Sequence, residues 1–253
     1  MSKGRGNLNQ TITGNIRHDD KLGFEYDNNI YGPKSQIDYK NLESFELKII
    51  LIGDQGVGKT SIMSKFITNE FKNAYQSTLG VEFKTKELYI DNTTYAKLKI
   101  WDTCGAEKFR SITRQYFKNS NGVFLVFDLT EKVSIKNLNV WLKDITDNTD
   151  EECVIFLIGN KMDVKTRDIV IADDAKEFAN EKNLNYYEVS AKTGSGVVNI
   201  FEKITKKIIN NIKNERNKNE GKEKIENRKL YIDSYFNKDR GKVEQSRNKM
   251  HCC

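Results

Sequence analysis

Eight residues, Gly53-Asp54-Gln55-Gly56-Val57-Gly58-Lys59-Thr60, leave this chain few folds to choose from. They follow Phe45, Leu47, Ile49, Ile50, Leu51 and Ile52, an apolar run ending at Gly53 that has the texture of a buried strand. A helical stretch follows them. A Gly-x-x-x-x-Gly-Lys-Thr run in that setting is a phosphate-binding loop. Its glycines let successive backbone N–H groups curl around phosphate oxygens, and the following helix adds its positive end. Lys59 is positioned for the outer phosphates and Thr60 offers a hydroxyl to Mg²⁺. Asp54, Gln55, Gly56, Val57, Gly58 and Ser61 complete the expected phosphate contacts.

The rest of the chain from Phe45 supplies the sheet this loop requires. Further strands are expected at Val81 to Ile90, paired with Tyr95 to Trp101 across an Asp91-Asn92 turn, then at Val123 to Asp128, Val154 to Gly159 and Asn185 to Val189. Helical stretches alternate with the later strands. Val197, Ile200, Phe201, Ile204 and Ile208 recur at three- and four-residue steps and make one apolar face. The expectation is a three-layer α/β/α fold of the P-loop NTPase type, with a six-stranded, mostly parallel sheet and one antiparallel strand. Such sheets put their ligand sites at the carboxyl ends of the strands, where the informative motifs fall.

Composition bounds the remainder. Of 253 residues, 37% are apolar and 31% charged, so part of the chain is expected outside a core. Residues 1–44 mix Asn, Gly, Asp, Lys and Ser without period and read as a disordered extension; 45–212 form the expected domain; 213–253 read as a flexible basic tail. No run of 18 apolar residues and no secretory leader is present, so a cytosolic chain is expected. Four cysteines make no disulfide framework, and His18 and His251 alone leave no basis for imidazole catalysis or a zinc site. The net charge is +6, and from Lys213 to Lys249 twelve Lys and Arg face seven Asp and Glu. Charge gathered in one tail fits an acidic membrane surface; its cations interleave with acids and no aromatic-rich binding pattern accompanies them, so it does not make a nucleic-acid-binding face.

Other positions acquire meaning from the phosphate loop. Taken singly, Thr78 is a solvated loop threonine and Asp102 a strand-end carboxylate. Together with Thr60 they are the expected magnesium set, Thr78 on a loop closing over the outer phosphate and Asp102 at the end of a later strand. Gly105 lets a backbone N–H approach that phosphate. Asn160-Lys161-Met162-Asp163 and Ser190-Ala191-Lys192 each follow a strand, on the ligand edge. A carboxylate at Asp163 accepts both donors of the guanine Watson–Crick edge, whereas adenine leaves a buried charge unpaired, at a cost of several kcal/mol.

With these motifs in order, Leu79-Gly80-Val81-Glu82-Phe83, Lys97 through Asp102-Thr103, Phe109-Arg110-Ser111-Ile112-Thr113 and Leu125-Val126-Phe127-Asp128-Leu129-Thr130 resemble the stretches that distinguish Rab GTPases within the Ras superfamily. The resemblance runs from about Phe45 to Ile212. It implies a slow GTPase that cycles between GTP and GDP, with its first switch around Tyr75 to Leu79 and its second from Thr103 to about Tyr116. It also implies Phe71 against the guanine ring, Lys161 along the base face and the Ala191 N–H on the guanine oxygen. The expected catalytic set is Lys59, Thr78, Gly105 and the position of Ala106.

Ala106 departs from the family, which carries a water-orienting glutamine there. An alanine cannot hydrogen-bond the attacking water, so intrinsic hydrolysis is expected to fall roughly tenfold to a hundredfold. Two outcomes stay open: a weak GTPase that activating proteins still stimulate, or an essentially GTP-locked scaffold that binds effectors. Rabs commonly end in paired cysteines, and Cys252 and Cys253 are expected to carry geranylgeranyl lipid; two chains and a basic tail give stable attachment where one does not. The implied partners are GTP and GDP, effectors, an exchange factor, an activating protein, a prenylation escort and a GDP-dissociation inhibitor. The implied place is the cytoplasmic face of an endomembrane in vesicle traffic. Leu230-Tyr231-Ile232 and Tyr235-Phe236 interrupt the polar tail and are candidate contacts for a carrier or effector.

Overall fold

The computed structural model describes residues 41–72, 78, 80–105, 115–164 and 169–219. Within them lie strands β1 (Glu43–Ile52), β2 (Val81–Tyr89), β3 (Thr94–Thr103), β4 (Gly122–Asp128), β5 (Val154–Asn160) and β6 (Asn185–Glu188). The helices are α1 (Lys59–Thr68), α2 (Lys132–Lys136), α3 (Leu138–Thr146), α4 (Ile169–Glu181) and α5 (residues 197–219). The six strands form one sheet in the order β2-β3-β1-β4-β5-β6. Only β2 runs antiparallel, paired with β3 through the expected hairpin.

The central strand explains its own sequence. β1 is hydrogen-bonded on both edges and covered on both faces, so Ile49, Ile50, Leu51 and Ile52 are fully buried and its apolar run has no polar alternation. Ile50 and Ile52 face the side where Val123, Leu125 and Phe127 of β4 meet Leu138, Trp141 and Ile145 of α3 and Ala175 and Phe178 of α4. The other face receives α1 and α5. There Phe66 stacks on Phe201 at a centroid distance of 3.8 Å, and Phe124 meets the Phe201 ring edge-on at 4.8 Å. Phe201 is fully buried, and truncating such a residue to alanine costs about 3–5 kcal/mol. At the sheet edge, β2 alternates Glu82, Lys84 and Lys86 with other side chains, and charge of this kind discourages edge pairing with another chain.

Helix ends are set by local chemistry. α1 stops at Asn69, which takes a left-handed conformation (φ 58°) and returns its N–H to the Lys65 carbonyl. The Lys86 amine crosses from β2 to the Phe66 carbonyl, one of the orphan acceptors of the last turn. α5 continues to residue 219, past Ile212 where apolar periodicity fades. Its last turns are held by ionic and aromatic contacts instead. Lys213 and Arg216 pair with Glu43 at 2.9 and 2.8 Å and lie over the Phe45 ring at 5.6 and 5.4 Å. Among the described residues regular structure starts at Glu43, two residues before the apolar run. Residues 1–40 and 220–253, with Cys252, Cys253 and the Leu230 to Phe236 segment, lie outside the described residues. Among the described residues no helix is long and apolar enough to cross a membrane.

Candidate nucleotide-binding site

Register decides which residues share the carboxyl edge of the sheet. Leu51 lies beside Asp102, Ile52 beside Leu125, and Asp128 beside Asn160, so β1, β3, β4 and β5 all deliver their following residues to one rim. The antiparallel β2 begins there, with Val81 opposite Thr103. Thr78 therefore arrives at the same edge from the opposite chain direction. The Cys104 N–H closes the corner on the Gly80 carbonyl at 3.1 Å.

The phosphate loop is shaped by what it cannot accommodate. A Cβ at Gly53 (φ +142°) would sit 2.0 Å from the Val126 carbonyl oxygen. Gly58 (φ +97°) ends the loop and opens α1, and a Cβ there would meet the Asn160 amide nitrogen at 2.2 Å. The Lys59 amine is folded back into the loop and donates to the Gly53 and Asp54 carbonyls at 2.9 and 2.7 Å. Burial pushes its pKa down to about 8, against the opposing pull of Asp102, Cys104 and Asp54. Gly105 lies directly over this arrangement: a Cβ there would be 2.4 Å from the Lys59 amine and 2.5 Å from the Asp54 carbonyl.

Thr60, Thr78 and Asp102 converge beside the lysine. The Thr60 hydroxyl donates to Asp102 Oδ2 at 2.5 Å and lies 2.8 Å from the Thr78 hydroxyl. Because Thr60 has a single proton and Asp102 takes it, Thr78 is the donor in the second contact. Burial raises the Asp102 pKa, opposed by the Thr60 hydrogen bond and the Lys59 charge. Asp102 Oδ1 is buried without a hydrogen-bond partner. An orphaned carboxylate oxygen beside two hydroxyls is an all-oxygen set that fits a hard divalent cation. No cluster of three His, Cys, Asp or Glu occurs among the described residues. So sparse a set suits Mg²⁺, which keeps waters and phosphate oxygens, better than a cage built from protein alone.

The other end of the rim is organised by Asn160, which is 2% exposed. Its amide nitrogen donates to the Val57 carbonyl at 2.9 Å, and its amide oxygen accepts the Ala191 N–H at 3.0 Å. One side chain thus ties the phosphate loop to the Ser190-Ala191-Lys192 loop. Ser190 donates to Asp163 Oδ1 at 2.6 Å, and the Met162 N–H reaches the Val189 carbonyl at 3.1 Å, so the loops after β5 and β6 also hold each other. Lys161 adopts φ 68°, unusual for a residue with a side chain, and its amine pairs with Asp128 Oδ2 at 2.5 Å. Lys192 is exposed, and Phe71 lies half-buried just beyond α1. Ser61 sits half-buried in the first turn of α1, and Gln55 and Gly56 are exposed at the loop tip. Tyr75 and Ala106, with most of both expected switches, lie outside the described residues.

Sequence reasoning missed two features. The Asp54 carboxylate is held by Asn137 and Trp141 of the α3 region, and no local pattern announces partners that far along the chain. An aromatic patch also surfaces beside the site. Phe83 is 53% exposed and stacks on Trp101 at 5.0 Å, while Trp101 meets Tyr116 at 5.4 Å. The Phe83–Trp101 pair was countable from the hairpin, since the Asp91-Asn92 turn puts Tyr89 opposite Tyr95 and hence Phe83 opposite Trp101.

Comparison with known proteins agrees with this geometry. The family model described as Ras family matches residues 48–210. The chain is 46% identical over 160 residues to the Ras-related protein Rab-1 of Theileria annulata, covering 63% of this chain and 72% of that one. It is 40% identical over 177 residues to the Ras-related protein Rab11B of Nicotiana tabacum, covering 70% and 79%. To the Ras-related protein RABA1f of Arabidopsis thaliana it is 41% identical over 161 residues, covering 64% and 74%.

Proposed function

We propose, from the premise that this chain belongs to the Rab family of Ras-type small GTPases, that it is a slow GTP/GDP switch which recruits vesicle-traffic effectors when loaded with GTP. The observation that carries the reading is the cross-linked rim: Lys59 inside the loop, Thr60 and Thr78 against Asp102, and Asn160 joining Val57 to Ala191. Lys59 places positive charge where the outer phosphates would lie, and the loop amides surround them. Thr60, Thr78 and Asp102 would hold Mg²⁺, and the chemistry it supplies when bound is neutralisation of phosphate charge. Asp163, steadied by Ser190, selects guanine through its two N–H donors. Ala106 leaves the attacking water without a glutamine to orient it, so GTP persists.

The exposed Phe83, with Trp101 and Tyr116 behind it, supports an effector contact next to the switches, because a shallow aromatic patch offers apolar area that water covers poorly. Charge supports attachment to an acidic membrane. From residue 197 to the end, 15 Lys and Arg face 8 Asp and Glu, leaving 27 against 28 in the rest of the chain. All the positive excess therefore belongs to α5 and the tail that carries Cys252 and Cys253, the proposed geranylgeranyl sites.

Calorimetry with Mg²⁺ present tests the nucleotide reading. GTP and GDP are expected to bind tightly and ATP far more weakly; ATP held as firmly as GTP, or no nucleotide held, would overturn it.

A further inference from the structure

Asp54 sits at the centre of the phosphate loop, and its main chain and side chain are engaged from opposite sides. Its carbonyl accepts the Lys59 amine at 2.7 Å and is the surface against which Gly105 closes, with 2.5 Å to a Cβ built there. Its carboxylate points the other way, toward α3. Asn137 Nδ2 donates to Oδ2 at 2.8 Å and Trp141 Nε1 donates to Oδ1 at 2.7 Å. Each carboxylate oxygen has its own N–H donor, and two donors fix the plane of the group as one cannot.

Both donors are placed by the packing of the α3 region. Asn137 joins α2 to α3 in a helical conformation (φ −84°, ψ −8°), from which its side chain does not fold back on the N–H groups of α3. Its main-chain carbonyl still accepts the Val140 and Trp141 N–H groups at 3.1 Å, so the helix starts while the side chain is turned outward to Asp54. Trp141 is 4% exposed in the core against β4, which fixes its ring and so the direction of its N–H. A packed helix thereby orients the Asp54 side chain, and through it the carbonyl that meets Lys59 and the face that meets Gly105.

We propose that Asn137 and Trp141 are positioning residues for the bound guanine nucleotide, acting through Asp54 to hold the phosphate loop in its binding shape. The inference rests on the nucleotide reading of the preceding subsection. It makes α3 part of the nucleotide machinery through Asp54, and it ties any tilt of α3 to nucleotide retention.

The test is a mutant cycle on the full chain, read as the release rate of fluorescently labelled GDP. Trp141→Phe keeps the ring and removes the donor; Asn137→Ala removes the other donor. Each is expected to speed release roughly tenfold, the scale of one lost hydrogen bond to a charged group. The decisive comparison is in the Asp54→Ala background. There Trp141→Phe is expected to change release less than about twofold, since its effect passes through a carboxylate no longer present. An equal effect of Trp141→Phe in both backgrounds would overturn the proposal, because it would then act through packing. So would wild-type release rates in both single variants. Where Asp54→Ala does not fold, Asp54→Leu closes the same cycle, with nearly the same side-chain shape and no acceptor for either donor. A wild-type chain that retains no GDP overturns the nucleotide reading and this inference with it, whereas a GDP-binding wild type with a flat cycle overturns this inference alone.

Discussion

Replacing Asn160 with alanine should loosen the nucleotide without dismantling the fold. The side chain is buried and makes two hydrogen bonds, to the Val57 carbonyl at 2.9 Å and from the Ala191 N–H at 3.0 Å. Both partners are buried main-chain groups, Val57 and Ala191 each being 2% exposed, and both lose their partner together. An unsatisfied buried polar group costs about 1–3 kcal/mol, so two cost about 2–6 kcal/mol before relaxation. Loops at a rim admit water more readily than a core does, which favours the lower half of that range. About 3 kcal/mol corresponds to roughly 150-fold faster GDP release. The assay is displacement of labelled GDP under excess unlabelled nucleotide, with a melting curve to establish folding. Asn160→Asp sharpens the argument. It keeps the acceptor for Ala191 but sets a carboxylate against the Val57 carbonyl, and burial raises its pKa. Protonation at lower pH restores a donor, so release should slow as pH falls. Release from Asn160→Ala within about threefold of wild type would refute the claim that this cross-link sets the loop.

Other consequences can be measured independently. Ala106→Gln is expected to raise single-turnover GTP hydrolysis roughly tenfold to a hundredfold, by restoring a group that orients water; equal rates would reject the role given to Ala106. Burial depresses the Lys59 pKa to about 8, so between that pH and the ordinary lysine range the unfolded chain binds the proton that the folded chain has lost. Stability of nucleotide-free protein, measured against Lys59→Met, should therefore rise by about 3 kcal/mol from about pH 8 to about pH 10.5; a constant difference would mean that the amine is not desolvated. Removing Cys252 and Cys253 from a chain expressed in a prenylating cell should move it from the membrane to the soluble fraction, and an unchanged distribution would count against lipid anchoring.

The sheet was legible because its physics is local. A strand covered on both faces has to be apolar throughout, as in Ile49 to Ile52, and an Asp-Asn turn between two β-rich runs implies the hairpin that sets β2 antiparallel. The meeting of Thr60 and Asp102 was legible for a related reason, since the ends of β1 and β3 lie on one rim whatever lies between them. The extent of α5 was not. Lys213 and Arg216 look like the start of a basic tail until Glu43 and Phe45 are seen beneath them, 173 residues from Arg216 in the case of Glu43. Polar residues take their meaning from partners, and the sequence of a helix does not say which partners will be near.

The phosphate loop makes the same point about function. Its glycines and lysine identify it as a local motif, yet its shape is imposed from outside. Asp54 is held by side chains 83 and 87 residues away, and Val57 by one 103 residues away. Gly53 and Gly105 are required by what closes on them, a β4 carbonyl in one case and the lysine in the other. A loop of six residues, Gly53 to Gly58, has too few internal bonds to resist its own conformational entropy, which is about 1–2 kcal/mol for each residue fixed. The ties from α3 and β5 offset that entropy in the folded protein before any nucleotide binds, so binding energy is not spent on ordering the loop. On this argument affinity for nucleotide is a property of how α3 and β5 are packed, and mutations that leave every residue of the motif intact can still weaken it.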